Sequence, residues 1–156
     1  MHRRALALAA ALMAAALPSA LAAEIPVDLE LILAVDVSRS MDEDELRLQR
    51  DGYVAALTHP DIVAAIAGGF HGRIALTYVE WAGPEVQSVV MGWRAIDGPA
   101  AAEAFAAGLA AAPIQRFRGT SISGSLAFAA PRFDGNGYDG TRRVIDVSGD
   151  GPNNMG

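Results

Sequence analysis

The sequence predicts an α/β fold, an open, doubly wound and mostly parallel sheet with helices on both faces. Apolar, strand-like runs alternate with segments of helical periodicity along most of the chain. The first long run, residues 31–35, is apolar at every position, which is typical of a strand covered on both faces. At 156 residues, of which 52% are hydrophobic, the chain suffices for one compact domain.

The chain opens with the pattern of a secretory signal. Residues 2–4 are basic, residues 5–17 are apolar, and residues 20–22 form a small-x-small cleavage site. Because the apolar run is shorter than the ~20 residues that span a bilayer, we predict a cleaved signal peptide over residues 1–22, with an uncleaved anchor as the alternative. The mature domain, residues 23–156, is then periplasmic or secreted and does not insert into a membrane.

Charge and cysteine content narrow the function classes. Without the predicted signal peptide, ten arginines face 18 acidic residues, a formal charge of −8. An acidic chain without a basic patch argues against nucleic acid and anionic membranes as partners. The chain contains no cysteine, so disulfides and thiolate metal sites are excluded and a bound metal would be held by oxygen.

The first predicted strand, residues 27–37, leads into a helix. Four acids at residues 42–45 suit the first turn of that helix, where the helix dipole is positive. Three residues at near-helical spacing give the helix an inner face: Leu46, Tyr53 and Leu57. A short helix over residues 61–67 follows and is closed by two glycines.

Two strands, residues 74–81 and 86–91, are separated only by a short segment around Gly83 and Pro84. They therefore predict a hairpin. Glu80 is a charged residue near the C-terminal end of the first of these strands. It is either an acceptor for a metal-bound water or part of a solvated strand end.

Two helices and a strand complete the pattern. The first helix is predicted over residues 99–112 and the second over residues 121–130, with Ile122 and Leu126 facing inward. The last strand covers residues 142–148. Before it, the Gly-x-Gly-x-x-Gly segment 135–140 opens no helix, so it predicts a turn and not a dinucleotide site.

Three turns carry oxygen side chains that together could hold a metal ion. The Asp-x-Ser-x-Ser turn after the first strand places three oxygen side chains on one side. Hard divalent cations prefer oxygen ligands in near-octahedral geometry, and two later loops can supply the rest. The predicted ligands are Asp36, Ser38, Ser40, Thr120 and Asp150. The alternative is that the serines and Thr120 only cap the helices that follow them.

The same five residues, in this order, resemble the metal-ion-dependent adhesion site of von Willebrand factor type A (VWA) domains. Segments 35–41 and 146–154 are most similar to a bacterial branch of secreted VWA-like proteins of unknown function. The resemblance covers the chain from about Val27 onward. It implies that the first and fourth predicted strands are neighbours, and that residues 23–156 are the N-terminal part of a domain truncated after its fourth strand.

The resemblance also implies a cation and a partner. The cation is Mg²⁺, with Mn²⁺ or Ca²⁺ as alternatives, and the partner is a protein that offers an acidic side chain. We therefore expect an exported, non-enzymatic binding module. A metal-assisted phosphoester hydrolase is one alternative, although the chain has no lysine and no evident general base. A truncated copy that binds nothing is the other.

Overall fold

The computed structural model describes residues 23–155. The predicted signal peptide lies outside these residues and stays a prediction, as does the truncation. The described elements are β1 (Ile25–Val27), β2 (Leu29–Asp36), α1 (Glu43–Thr58), α2 (Pro60–Ala67), β3 (Ile74–Trp81), β4 (Gln87–Ile96), α3 (Pro99–Ala111), α4 (Ile122–Ala129), a 3₁₀ turn (Ala130–Phe133), β5 (Tyr138–Gly140) and β6 (Arg143–Ser148).

The main sheet has the strand order β4-β3-β2-β6. Strand β2 pairs in parallel with both β3 and β6, whereas β4 pairs antiparallel with β3 as the second half of a hairpin. This arrangement confirms the predicted α/β fold, the hairpin, and the neighbouring positions of the first and fourth predicted strands. β1 and β5 form a separate two-stranded parallel ladder.

The core lies on both faces of the sheet because neighbouring residues of β2 point in opposite directions. On one face, Leu33 and Val35 belong to a buried cluster with Phe105 and Leu109 of α3, against which α1 also packs. The opposite face carries Ile32, Ala34, Val79 and Trp81, covered by Ala129 and Phe133 from α4 and the 3₁₀ turn. Burying each large apolar side chain contributes about 1.5–3 kcal/mol, so both helical layers hold the sheet in place.

The structure corrects the predicted inner face of α4. Ile122 and Leu126 are 37% and 40% exposed, whereas Ser125 and Ala129 are buried. The buried pair is also four residues apart but consists of small side chains, which allow a helix to approach a sheet closely. The prediction was wrong because it selected the stripe by hydrophobicity and ignored side-chain size.

The predicted turn at residues 135–140 is only partly a turn. Gly135 and Gly137 have φ values of 65° and 88°, as tight turns require, but Tyr138–Gly140 forms β5 and pairs with β1. Glu30, fully buried on β2, anchors this corner. It accepts hydrogen bonds from Asn136 Nδ2 at 2.6 Å and the Gly140 amide at 2.8 Å.

Candidate metal centre

The candidate site lies where two parallel strands end side by side. Val35 of β2 pairs with Ser148 of β6, so Asp36 ends its strand beside the turn that carries Asp150. In open α/β sheets, ligands bind at the carboxyl ends of the strands. The topology therefore brings the first and last predicted metal ligands to one edge of the sheet.

Four of the five predicted ligands form one hydrogen-bonded row. Asp36 Oδ1 accepts the Ser38 amide proton at 2.7 Å, and the Ser38 and Ser40 hydroxyls lie 2.7 Å apart. The Ser40 hydroxyl donates to Asp150 Oδ1 at 2.7 Å. Because a hydroxyl has one proton, Ser38 must donate to Ser40. Each hydroxyl in the row then keeps a lone pair with which it could bind a cation.

Asp36 is a buried carboxylate with one unsatisfied oxygen. Its exposed fraction is 0%, and Oδ2 has no hydrogen-bond partner among residues 23–155. Burial raises the pKa of Asp36, the hydrogen bond from the Ser38 amide opposes this rise, and repulsion by the Asp150 carboxylate adds to it. An unsatisfied buried charge is costly. A cation at this oxygen would offset that cost, so the residues fit a metal ion.

Gly149 leaves the space beside this oxygen open. A Cβ atom at this position would lie 3.3 Å from Asp36 Oδ2 and 3.4 Å from the ring of Trp81. Real Cβ atoms rarely approach so closely, so a larger residue would crowd the carboxylate and the indole. The glycine before Asp150 therefore allows the β6 turn to pass close to Asp36.

Thr120 reaches this edge through the backbone of its loop. The Phe117 amide donates to Val37 O at 3.0 Å, and the Ser121 amide donates to Ala82 O at 2.8 Å. Thr120 itself is only 4% exposed. Its hydroxyl makes no hydrogen bond to the other four predicted ligands. The structure thus places the Thr120 loop beside the Asp36 turn without joining Thr120 to the hydrogen-bonded row.

The segment after Asp150 holds the Thr120 loop by a reciprocal set of hydrogen bonds. Asn154 Oδ1 accepts the Thr120 amide proton at 3.0 Å, while Thr120 O accepts the Asn154 and Met155 amide protons at 3.0 and 3.1 Å. Asn153 Oδ1 accepts the Ile122 amide proton at 3.1 Å. The loop of Thr120 and the segment after Asp150 are therefore fastened directly to each other.

The helix-capping alternative does not describe the predicted ligands. The N-cap of α1 is Asp42, whose Oδ1 accepts the amide protons of Asp44 and Glu45 at 2.8 and 2.9 Å. The Asp42 amide in turn donates to Glu45 Oε2 at 2.7 Å, which completes a capping box. The N-cap of α4 is Ser121. The predicted helix-start role of the acidic run is confirmed, and Ser38, Ser40 and Thr120 have no capping role.

Glu80 is a buried residue and not a solvated strand end. It is 5% exposed and forms an ion pair with Arg50 of α1. Arg50 Nη1 also donates to the carbonyl oxygens of Leu109 and Ala112, at 3.1 and 2.9 Å. Burial raises the pKa of Glu80, and Arg50 opposes this rise. The solvated strand-end interpretation of Glu80 was wrong because an arginine from the covering helix meets it, and the role as an acceptor for a metal-bound water stays a prediction.

The helix that carries Arg50 also contacts the candidate site directly. Gln49 Nε2 donates to Asp36 O at 3.1 Å. Neither Gln49 nor Arg50 was predicted from the sequence as a functional residue. Arg50 was detectable, because it lies four residues after Leu46 and three before Tyr53, on the inner stripe of α1. Gln49 carries no comparable signal.

Within residues 23–155, no group of three or more histidine, aspartate or glutamate side chains is placed to hold a metal ion. The candidate centre has a different composition, with two carboxylates and three hydroxyls. His71 lies at the opposite edge of the sheet, where its amide donates to Asp28 before the start of β2. The same part of the chain has no helix long and apolar enough to cross a membrane.

Several solved structures are similar to this chain. They include three N-terminal domains of the type V pili tip protein Mfa5 from Porphyromonas gingivalis, with 14% identity, a TM-score of 0.49, and coverage of 78% of this chain and 19% of that one. The pilus adhesin SpaC from Lactobacillus rhamnosus GG has 21% identity, a TM-score of 0.48, and coverage of 78% and 14%. The vWF domain of Mfa5 has 13% identity, a TM-score of 0.48, and coverage of 80% and 37%.

The chain thus spans less than two fifths of each of these structures. At TM-scores below 0.5, the likeness is too distant to transfer a function. A comparison with curated proteins found no match. Residues 26–156, most of the chain, match the family described as protein of unknown function (DUF1194). The chain belongs to the DUF1194 family.

Proposed function

We propose that this protein is an exported, non-enzymatic binding module that recognises a protein partner through a divalent cation. The cation, Mg²⁺ in the first instance, would be held by Asp36, Ser38, Ser40, Thr120 and Asp150. One observation carries the proposal: the buried Oδ2 of Asp36, which has no hydrogen-bond partner among residues 23–155, lies at the end of a hydrogen-bonded row of serines that leads to Asp150.

The chemistry of these residues supports a cation that attracts a further anionic ligand. Only two of the five proposed ligands are carboxylates, which would bind directly or through water, and three are neutral hydroxyls that add coordination without adding negative charge. Such an ion would stay electrophilic and would accept a carboxylate from a partner. The serine protons already point along the row toward Asp150, so their lone pairs are available.

The exposure of the site supports a macromolecular partner. Asp36 and Ser38 are buried, whereas Ser40 and Asp150 are exposed. A cation held among these residues would face solvent on one side. A partner could therefore approach without any movement of the helices that cover the sheet.

Isothermal titration with Mg²⁺ and Mn²⁺ tests the proposal. We expect binding by the wild type and its loss in Asp36→Ala and Asp150→Ala. The matched control is Asp146→Ala, which removes the same charge from an exposed position on β6, four residues before Asp150. Unchanged binding heats in Asp36→Ala, or equal losses in Asp146→Ala and Asp150→Ala, would overturn the proposal.

A further inference from the structure

Three arginines lie on the two loops that build the candidate site. Arg39 sits between the two serines of the Asp36 turn, and Arg116 and Arg118 precede Thr120. All three are exposed. Arg116 Nη2 donates to Arg39 O at 3.1 Å, so the two loops are in direct contact. In the described part of the chain, the arginines that form ion pairs are others, Arg47, Arg50 and Arg143.

The acidic run of residues 42–45, which begins three residues after Arg39, is already engaged. Asp42 and Glu45 form the capping box of α1. Glu43 and Asp44 each accept a hydrogen bond from Arg47 at 3.0 Å. The acidic run therefore caps α1 and pairs with one arginine of that helix, and the three loop arginines form no ion pair within the described residues.

Resting on the proposed function, we propose that Arg39, Arg116 and Arg118 form a basic rim that binds additional carboxylates of an acidic protein segment. One acidic side chain of that segment would bind the cation, and its neighbours would pair with the arginines. A guanidinium group suits this role because its planar fork matches a carboxylate. The rim thus extends recognition from a single acidic side chain to a short acidic run.

The charge of the whole protein explains why such a rim is needed. The described chain is strongly acidic, and an acidic ligand is repelled by most of its surface. Local arginines at the binding edge reverse the sign of the potential there and steer the ligand to the cation. A short acidic segment can use this small patch, whereas a long polyanion would also meet the acidic remainder. Composition alone indicated no basic patch, because it averages charges over the whole chain.

The test compares two double variants of the full protein. Arg39→Gln with Arg118→Gln removes two rim arginines whose side chains have no partner among residues 23–155. Arg94→Gln with Arg142→Gln is the matched control, because it removes the same charge at exposed positions on β4 and just before β6. The probe is a fluorescein-labelled peptide of alternating aspartate and glutamate, followed by anisotropy with Mg²⁺ and with EDTA.

We expect the rim variant to bind the peptide about five- to tenfold more weakly at low salt, and the control to stay within about twofold of the wild type. The difference should shrink at high salt because the rim is exposed. Mg²⁺ titration should be unchanged in the rim variant. If the wild type binds no Mg²⁺, the proposed function fails. In that case the rim is still supported when the wild type binds the peptide in EDTA and the rim variant does not.

Three results would overturn the inference. The first is peptide binding by the rim variant as tight as that of the wild type. The second is an equal loss of peptide binding in both double variants. The third is a preference of the wild type for an oligogalacturonate over the peptide. The last result would identify a carbohydrate as the source of the carboxylates.

Discussion

Asp36→Asn should stabilise the metal-free protein and at the same time abolish its response to Mg²⁺. Asparagine keeps an oxygen that can accept the Ser38 amide proton, as Asp36 Oδ1 does at 2.7 Å. It removes a buried negative charge that has one unsatisfied oxygen and is repelled by Asp150. An unsatisfied buried polar group costs about 1–3 kcal/mol. Since the new amide also lacks a partner, we expect a net gain of about 1 kcal/mol, or about 3–5 °C in Tm.

Mg²⁺ should reverse the order of stability, so that the wild type becomes more stable than Asp36→Asn. A ligand that binds only the folded state adds about 2.7 kcal/mol of stability at a concentration of 100 times its Kd. The wild type should show this gain and the asparagine variant should not. Thermal unfolding followed by circular dichroism, in EDTA and in saturating Mg²⁺, measures all four values.

The pH dependence supplies a second check of the same prediction. The pKa of Asp36 in the folded state is raised above the usual aspartate value of 3.8. The neutral carboxyl group of the wild type therefore stabilises the folded protein at acidic pH. This contribution is lost as pH rises from 3.8 through the raised pKa. The advantage of the asparagine variant in EDTA should vanish at acidic pH. A variant that is less stable than the wild type in EDTA at neutral pH, or one that is equally stabilised by Mg²⁺, would refute the reasoning.

Three further changes test the surroundings of the site. Asn154→Ala removes the acceptor for the Thr120 amide proton. Loss of this supporting contact should weaken Mg²⁺ binding about tenfold, and an unchanged Kd in titration calorimetry would contradict this prediction. Glu80→Ala leaves Arg50 buried without its carboxylate and should cost about 3–5 kcal/mol in urea unfolding, a result that a loss below 1 kcal/mol would exclude. Hydrogen bonds from backbone amides, above all that of His71, lower the pKa of Asp28. The Asp28 charge therefore stabilises the fold above the ordinary carboxyl pKa, and this contribution is lost as pH falls through the lowered pKa. The difference in Tm between Asp28→Asn and the wild type should therefore shrink below about pH 4; a constant difference would count against this role.

Much of the fold was predictable because its strands are buried on both faces. The apolar run of β2 and the uniformly buried β3 left a signal in hydrophobicity alone. Gly83 and Pro84 marked the hairpin between β3 and β4. The failures occurred where size or distant pairing decides the structure. Ser125 and Ala129 carry too little hydrophobicity to mark the inner face of α4, and β5 exists because of a partner more than a hundred residues away.

The candidate site was predictable at the level of its motif and not at the level of its supports. Asp36, Ser38, Ser40 and Asp150 are found in one hydrogen-bonded row, and local spacing together with the strand order that the VWA resemblance implies was sufficient to suggest this. The contacts of Asn154 with Thr120 depend on how two separate loops meet after the sheet forms. No periodicity records such a contact, so the sequence offered only an asparagine in a loop.

The two carboxylates of the candidate centre differ in how firmly the fold holds them. Asp36 ends a central strand that is paired on both sides, whereas Asp150 follows β6, which has one neighbour among the described strands. Asp36 is buried and Asp150 is exposed. A cation between them would therefore be fixed by the rigid carboxylate and would draw the freer one into place. Because Asn153 and Asn154 join the Asp150 segment to the loop of Thr120, ordering one of these loops would also order the other, so cation binding would shape the surface that a partner meets.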